Sequence, residues 1–131
     1  MASIFSKIAK GEIPCYKIAE SDQFLAFLDI NPVAQGHTLV IPKQEIDYYF
    51  DLEDDLLVGI NLFAKRVAAA LKKVVPCNRI GVAVVGLEVP HAHVHLIPIH
   101  SLHDMSFEKE RLQFTSEEMA NLAKAVSEQF G

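Results

Sequence analysis

A chain of 131 residues, half of them hydrophobic, can bury one core but is too short for two. Its formal net charge of −5 argues against a nucleic-acid backbone or an anionic membrane as partner, and leaves a small nucleotide acceptable. No uncharged apolar run reaches about 18 residues, and no basic stretch precedes Ile4-Phe5, so neither a membrane span nor a secretion signal is expected.

The elements follow from local patterning. Residues 3–10 place Ile4, Phe5 and Ile8 on one helical face, with Ser3 as N-cap and Gly11 as stop. Cys15 and Cys77 stand far apart and read as free thiols of a reducing, cytoplasmic compartment. Tyr16 to Glu20 and Gln23 to Asp29 form a strand pair across the Ser21-Asp22 turn. Asn31-Pro32 breaks the second strand, and Val33-Ala34-Gln35-Gly36 leads into a third, His37 to Ile41, ended by Pro42. A long helix spans residues 52–74, capped by Asp51, with Leu56, Ile60, Phe63, Val67, Leu71 and Val74 as its apolar stripe. Arg79 to Val85 is a β-branched fourth strand. A tight connection over Gly86 to Pro90 leads to a fifth at 91–98. His100 and His103 fall in a polar surface loop. A last helix over 116–130 opens on a Thr115/Glu118 capping box and buries Met119, Leu122, Val126 and Phe130. These elements predict an α+β fold: a five-stranded antiparallel sheet, one long central helix and a C-terminal helix, in a single domain over 1–131.

The fifth strand carries His91-Ala92-His93-Val94-His95, three histidines alternating with apolar residues. Alternation at period two sets the imidazoles on one face and Ala92, Val94 and Leu96 on the other. At about 3.3 Å per residue the outer pair lies roughly 13 Å apart, too far for all three to reach one ion at the usual 2.0–2.1 Å or so without bending the strand. Two of them with His37 remain a metal-site alternative. Neutral imidazole is a good nucleophile toward phosphorus when one nitrogen holds the proton and the other faces the substrate. His93, in the middle, has a potential donor on either side. No carboxylate alternates with the histidines, which suits an anion.

The row has the form His-φ-His-φ-His-φ-φ, with φ apolar, and resembles the signature of the histidine-triad family of nucleotidyl hydrolases and transferases. Ile4-Phe5-Ser6-Lys7-Ile8 with Gly11-Glu12-Ile13-Pro14 is similar to the opening of its Hint-like branch. Leu25-Ala26-Phe27-Leu28-Asp29-Ile30-Asn31-Pro32 and Gly36-His37-Thr38-Leu39-Val40-Ile41-Pro42-Lys43 resemble its next two blocks, in order. The likeness covers residues 1–100, leaving 101–131 as a C-terminal loop and helix.

The resemblance implies that His93 is the nucleophile, held at Nδ1 by the His91 carbonyl, with His95 donating to phosphate oxygens and His37 orienting the triad. It implies Asp29 on the ribose hydroxyls, and Phe5, Ile8, Phe27 and Ile30 around the base. The implied substrate is a purine nucleoside phosphoramidate or related nucleotide, with no cofactor, and the implied assembly is a homodimer with one continuous sheet. Three departures stand out. Ser3 and Ser6 occupy the places of a Cys-x-x-Cys pair that binds structural zinc in some members, so no metal is expected. Leu87 and Glu88 replace a glutamine and a hydroxyl residue ahead of the triad, which makes Glu88 a neighbour of the phosphate or leaving group. Ala83 replaces an asparagine. These changes favour, as the alternative, a nucleotide-binding module with little turnover.

Overall fold

The computed structural model describes residues 2–131. Helix α1 (Ile4–Ala9) is followed by strands β1 (Lys17–Glu20), β2 (Phe24–Leu28) and β3 (Thr38–Pro42). Helix α2 (Asp54–Val74), β4 (Arg79–Ala83), β5 (Val94–Ile99) and α3 (Ser116–Gln129) complete the chain. The five strands form one sheet in the order β1-β2-β3-β5-β4, every neighbouring pair antiparallel. The architecture is α+β, as the patterning predicts. No helix among the described residues is long and apolar enough to cross a membrane.

Both faces of the sheet are covered, which explains why β2 and β3 read as unbroken apolar runs. One face carries Ile18, Phe24, Ala26, Leu28, Val40, Val94 and Leu96 against α2 and α3. Helix α2 contributes Leu56, Ile60, Phe63, Val67 and Leu71 to that core, at about 1.5–3 kcal/mol for each large side chain removed from water. The opposite face holds a smaller cluster, Phe5, Leu25, Phe27, Leu39 and Ile41, beneath α1. Ser3 caps α1 by accepting from the Ser6 amide at 3.0 Å, and Thr115 caps α3 within its capping box.

Three boundaries differ from expectation by two residues or more. Helix α2 begins at Asp54 behind Glu53, not behind Asp51, which lies in a short 3-10 turn. Leu52 is buried between the two with extended backbone, and seating it in the core delays the helix. Strand β4 stops at Ala83, so Val84 and Val85 leave the sheet. Strand β5 begins only at Val94, so His91 and His93 precede the ladder. Its registry with β3 runs from Thr38↔Leu96 to Val40↔Val94 and with β4 ends at Ala83↔His95. Beyond those pairs the Ala92 amide donates to the Ile46 carbonyl at 2.7 Å, outside either strand.

Candidate active site

That early departure from the ladder sends the three histidines to different tasks. His95, on β5, and His93, just ahead of it, line a cleft of about 620 Å³ on the α1 side of the sheet. His91 does not line it. Its ring is fully buried, with Nε2 2.8 Å from the Pro42 carbonyl oxygen and Nδ1 2.8 Å from Ser3 Oγ. A carbonyl only accepts, so the His91 proton sits on Nε2 and Nδ1 accepts from the hydroxyl. The expectation of three imidazoles on one face, with a donor from His91 beside His93, is thereby corrected. What His91 offers His93 is its backbone carbonyl, 2.7 Å from His93 Nδ1.

The same reasoning assigns the other protons. His93 Nδ1–H donates to that carbonyl, so in the neutral ring Nε2 carries the lone pair. His37 Nδ1 accepts from the Val33 amide at 3.1 Å, so its Nε2–H donates to His95 Nδ1 at 2.9 Å. His95 then carries its proton on Nε2. Neither His93 Nε2 nor His95 Nε2 has a protein partner, and no buried side-chain nitrogen or oxygen among the described residues lacks one. Both atoms therefore open to the cleft, a lone pair beside a donor. Ring centroids of His93 and His95 lie 4.9 Å apart.

Burial holds His37 and His95 neutral. Desolvation, helped by neighbouring positive charge, takes His37 from 6.5 down to about 3 and His95 down to about 4. Desolvation also lowers His91, against a raising influence of the Pro42 hydrogen bond and the Glu45 charge. Asp29 lies 3.6 Å from His37 Nε2, and with that ring neutral the contact is not an ion pair. Burial raises the Asp29 carboxyl, while the Asn31 amide, donating to its Oδ1 at 2.8 Å, works the other way. His37 itself is set by Gly36, whose φ of 87° suits glycine and whose missing Cβ would meet Val75 at 2.9 Å.

Behind His91 stands a polar knot with little precedent in the local patterning. Glu45 Oε1 accepts from both the Ser3 amide and Ser6 Oγ at 2.6 Å, which takes its carboxyl down to about 2. Ser3 Oγ in turn serves His91. Two hydroxyls, one carboxylate and one imidazole thus satisfy one another, and serine hydroxyls are not the thiolate or imidazole donors a structural zinc site uses. On the cleft side Asp29, His37 and His95 bring ligand atoms within 4.8 Å of one another. There the His37 nitrogen nearest His95 presents a hydrogen rather than a lone pair, and His91 faces away from the group.

The remaining anticipated residues meet in the cleft. Phe5, Ile8, Phe27, Asp29, Ile30 and Glu88 all line it, Ile30 and Glu88 from its exposed rim. Phe5 packs edge-on against His93, centroids 5.0 Å apart, and against Phe27 at 5.7 Å. His100 and His103 are exposed and outside it. Sequence reasoning missed Phe107 and Arg111, which reach the cleft from the loop before α3, and Glu45. The Ser3/Ser6 spacing, one helical turn, was the only local sign of the Glu45 knot; nothing local marks Phe107 or Arg111.

The HIT domain family model matches residues 10–102. The adenosine 5′-monophosphoramidase of Saccharomyces cerevisiae is 43% identical over 101 residues, covering 74% of this chain and 62% of that protein. That of Schizosaccharomyces pombe is 40% identical over 102 residues, covering 75% of this chain and 74% of that protein. A Hit-like protein from Bartonella henselae has a crystal structure of TM-score 0.84 to this one, at 30% identity over 97% of this chain and 95% of that one. With its site arranged in this way and most of its length matched, the chain belongs to the histidine-triad, or HIT, family.

Proposed function

We propose that the chain is a nucleotidyl hydrolase or transferase that cleaves purine nucleoside phosphoramidates through a nucleotidyl-histidine intermediate. The observation that carries this reading is the lone pair on His93 Nε2, fixed by the Nδ1–H bond to the His91 carbonyl and open to the cleft beside the His95 donor. The phosphoramidase activity named for the two fungal relatives supports the substrate class.

His93 Nε2 attacks the α-phosphorus, a nitrogen–phosphorus bond forms, and the bond to the leaving amine breaks as that amine takes a proton from solvent. Water then attacks the same phosphorus and gives up a proton to solvent, the histidine–phosphorus bond breaks, and nucleoside monophosphate leaves with His93 Nε2 restored. His95 Nε2–H donates to a phosphate oxygen, and His37 keeps that hydrogen on Nε2 by occupying Nδ1. Asp29 accepts from the ribose hydroxyls, and Phe5, Ile8, Phe27 and Ile30 enclose the base. With adenosine 5′-phosphoramidate, His93→Ala is expected to lose at least about 10³-fold in kcat/KM, and quenched wild type to carry one adenylyl group on His93. Full activity in the variant would refute the mechanism.

The exposed Glu88 carboxylate and the projecting Leu87 at the rim favour the second reading, a nucleotide-binding module with little turnover. Nucleotide binding without any trapped adenylyl-histidine would select it. We further infer a cytoplasmic homodimer. Val58 and Leu62 on the outer side of α2, and Val82 on the edge strand β4, are each more than half exposed and lie on the same side of the sheet. A second copy would cover them and pair the open β4 edge. Light scattering at micromolar concentration is expected to give twice the chain mass; a monomeric mass rejects the pairing.

A further inference from the structure

Positive charge is scarce in the cleft. His95 and His37 are neutral at neutral pH, and the carboxylates lining the cleft are Asp29 and Glu88. Arg111 is the one Lys or Arg among the described residues that line it. It lies outside the matched residues 10–102, in the loop ahead of α3.

The loop is anchored so that the guanidinium stays there. Arg111 Nη1 donates to the Asn31 carbonyl at 2.7 Å, and the Leu112 amide donates to the Pro32 carbonyl at 2.9 Å. Two consecutive residues are thus tied to the turn that follows Asp29. Phe107 fills the space between this anchor and the triad: its ring lies 4.8 Å from the His95 ring and 6.0 Å from that of His37. Arg111 sits 5.7 Å over the Phe107 ring, a cation–π arrangement that restrains the side chain on the histidine side of the loop. Only one of its five N–H groups is used by the Asn31 carbonyl. Its charge is felt across the site, being among the causes that lower His37 and His95 and working against the burial that raises Asp29.

We propose that Arg111, the one Lys or Arg among the described residues that line the cleft, binds the non-bridging oxygens of the nucleotide's 5′-phosphate and thereby makes the cleft prefer nucleotides over nucleosides. This rests on the nucleotide reading above. Guanidinium is suited to it because its planar fork can meet a phosphate with two parallel N–H bonds while a third holds the Asn31 carbonyl. The residue is specificity-determining and takes no part in the covalent steps.

Equilibrium titration of AMP and adenosine into wild type, Arg111→Gln and Arg111→Lys tests it without turnover. Arg111→Gln is expected to weaken AMP by about tenfold or more, the usual worth of a hydrogen bond to a charged partner, and adenosine by less than about twofold. Arg111→Lys is expected to recover part of the AMP affinity, since it keeps the charge but not the fork. Added salt should weaken AMP binding to wild type more than to Arg111→Gln. Equal weakening of AMP and adenosine in Arg111→Gln would reduce the residue to an anchor of the Asn31 turn and overturn the proposal alone. Should Arg111→Gln fail to fold, wild-type AMP affinity that does not respond to salt overturns it, and affinity that falls with salt while Arg111→Lys still binds AMP supports it. Wild type that binds neither ligand would overturn the nucleotide reading and this inference with it.

Discussion

At the His91 end of the site both ring nitrogens are engaged inside the protein, by Ser3 and by the Pro42 carbonyl, and Glu45 closes the network behind them. At the His95 end only Nδ1 is engaged, by His37, and Nε2 faces the cleft. The two histidines sit four residues apart and are similarly buried, at 0% and 8% exposure, so burial does not separate them. Partner supply does. A ring with both nitrogens satisfied can orient a neighbour through its backbone, whereas a ring with one hydrogen left over can receive a ligand. The difference teaches that a row of identical residues is sorted by what surrounds each one, here α1 and Glu45 against His37 and the Phe107 loop.

Acid is the largest expected perturbation of the open end. His37 and His95 have folded-state values of about 3 and about 4 against an ordinary 6.5. Between those values the unfolded chain binds more protons, so stability is fully present above 6.5 and falls as the pH drops below it. The slope approaches about 1.4 kcal/mol per pH unit for each ring. Asp29, raised by burial, opposes this on the acid side because the folded state takes up its proton more readily. Urea unfolding midpoints should therefore drop steadily from pH 7 to pH 5. His37→Gln should flatten the dependence; equal midpoints at the two pH values in wild type would contradict the assigned neutral rings.

The closed end should respond to removal of its donors. Ser3→Ala with Ser6→Ala leaves His91 Nδ1 buried without a hydroxyl, a loss of about 1–3 kcal/mol in unfolding free energy. Turnover per folded molecule is expected to fall less than in His93→Ala, because the His91 carbonyl still accepts from His93 Nδ1. An unchanged unfolding midpoint would show that water substitutes for the knot at no cost.

The smallest expected effect lies at the rim. Glu88 is exposed yet lines the cleft, so its carboxylate opposes an incoming phosphate through solvent-screened charge only. Glu88→Ser is expected to tighten AMP and speed turnover by less than about fivefold. Clearly slower turnover would instead assign Glu88 a proton to donate to the leaving group.

Much of this was legible in the chain itself, because its signals are local. The Ser3 and Thr115 caps, the α2 stripe and the alternation of His93 and His95 with Val94 and Leu96 each span a few residues, and backbone periodicity alone decides their faces. Period two does not say where a strand stops being paired, however. Pro42 has no N–H to offer a partner, registry with β4 ends at Ala83, and so His91 turned out of the row that alternation assigned to it. Tertiary structure alone decided the contacts that cross the chain: Glu45 to Ser6 at a separation of 39 residues, His37 to His95 at 58, Arg111 to Asn31 at 80. No pattern in a short window carries such information, since a lone glutamate or arginine in a polar loop reads as solvated until the fold brings its partner within hydrogen-bonding distance.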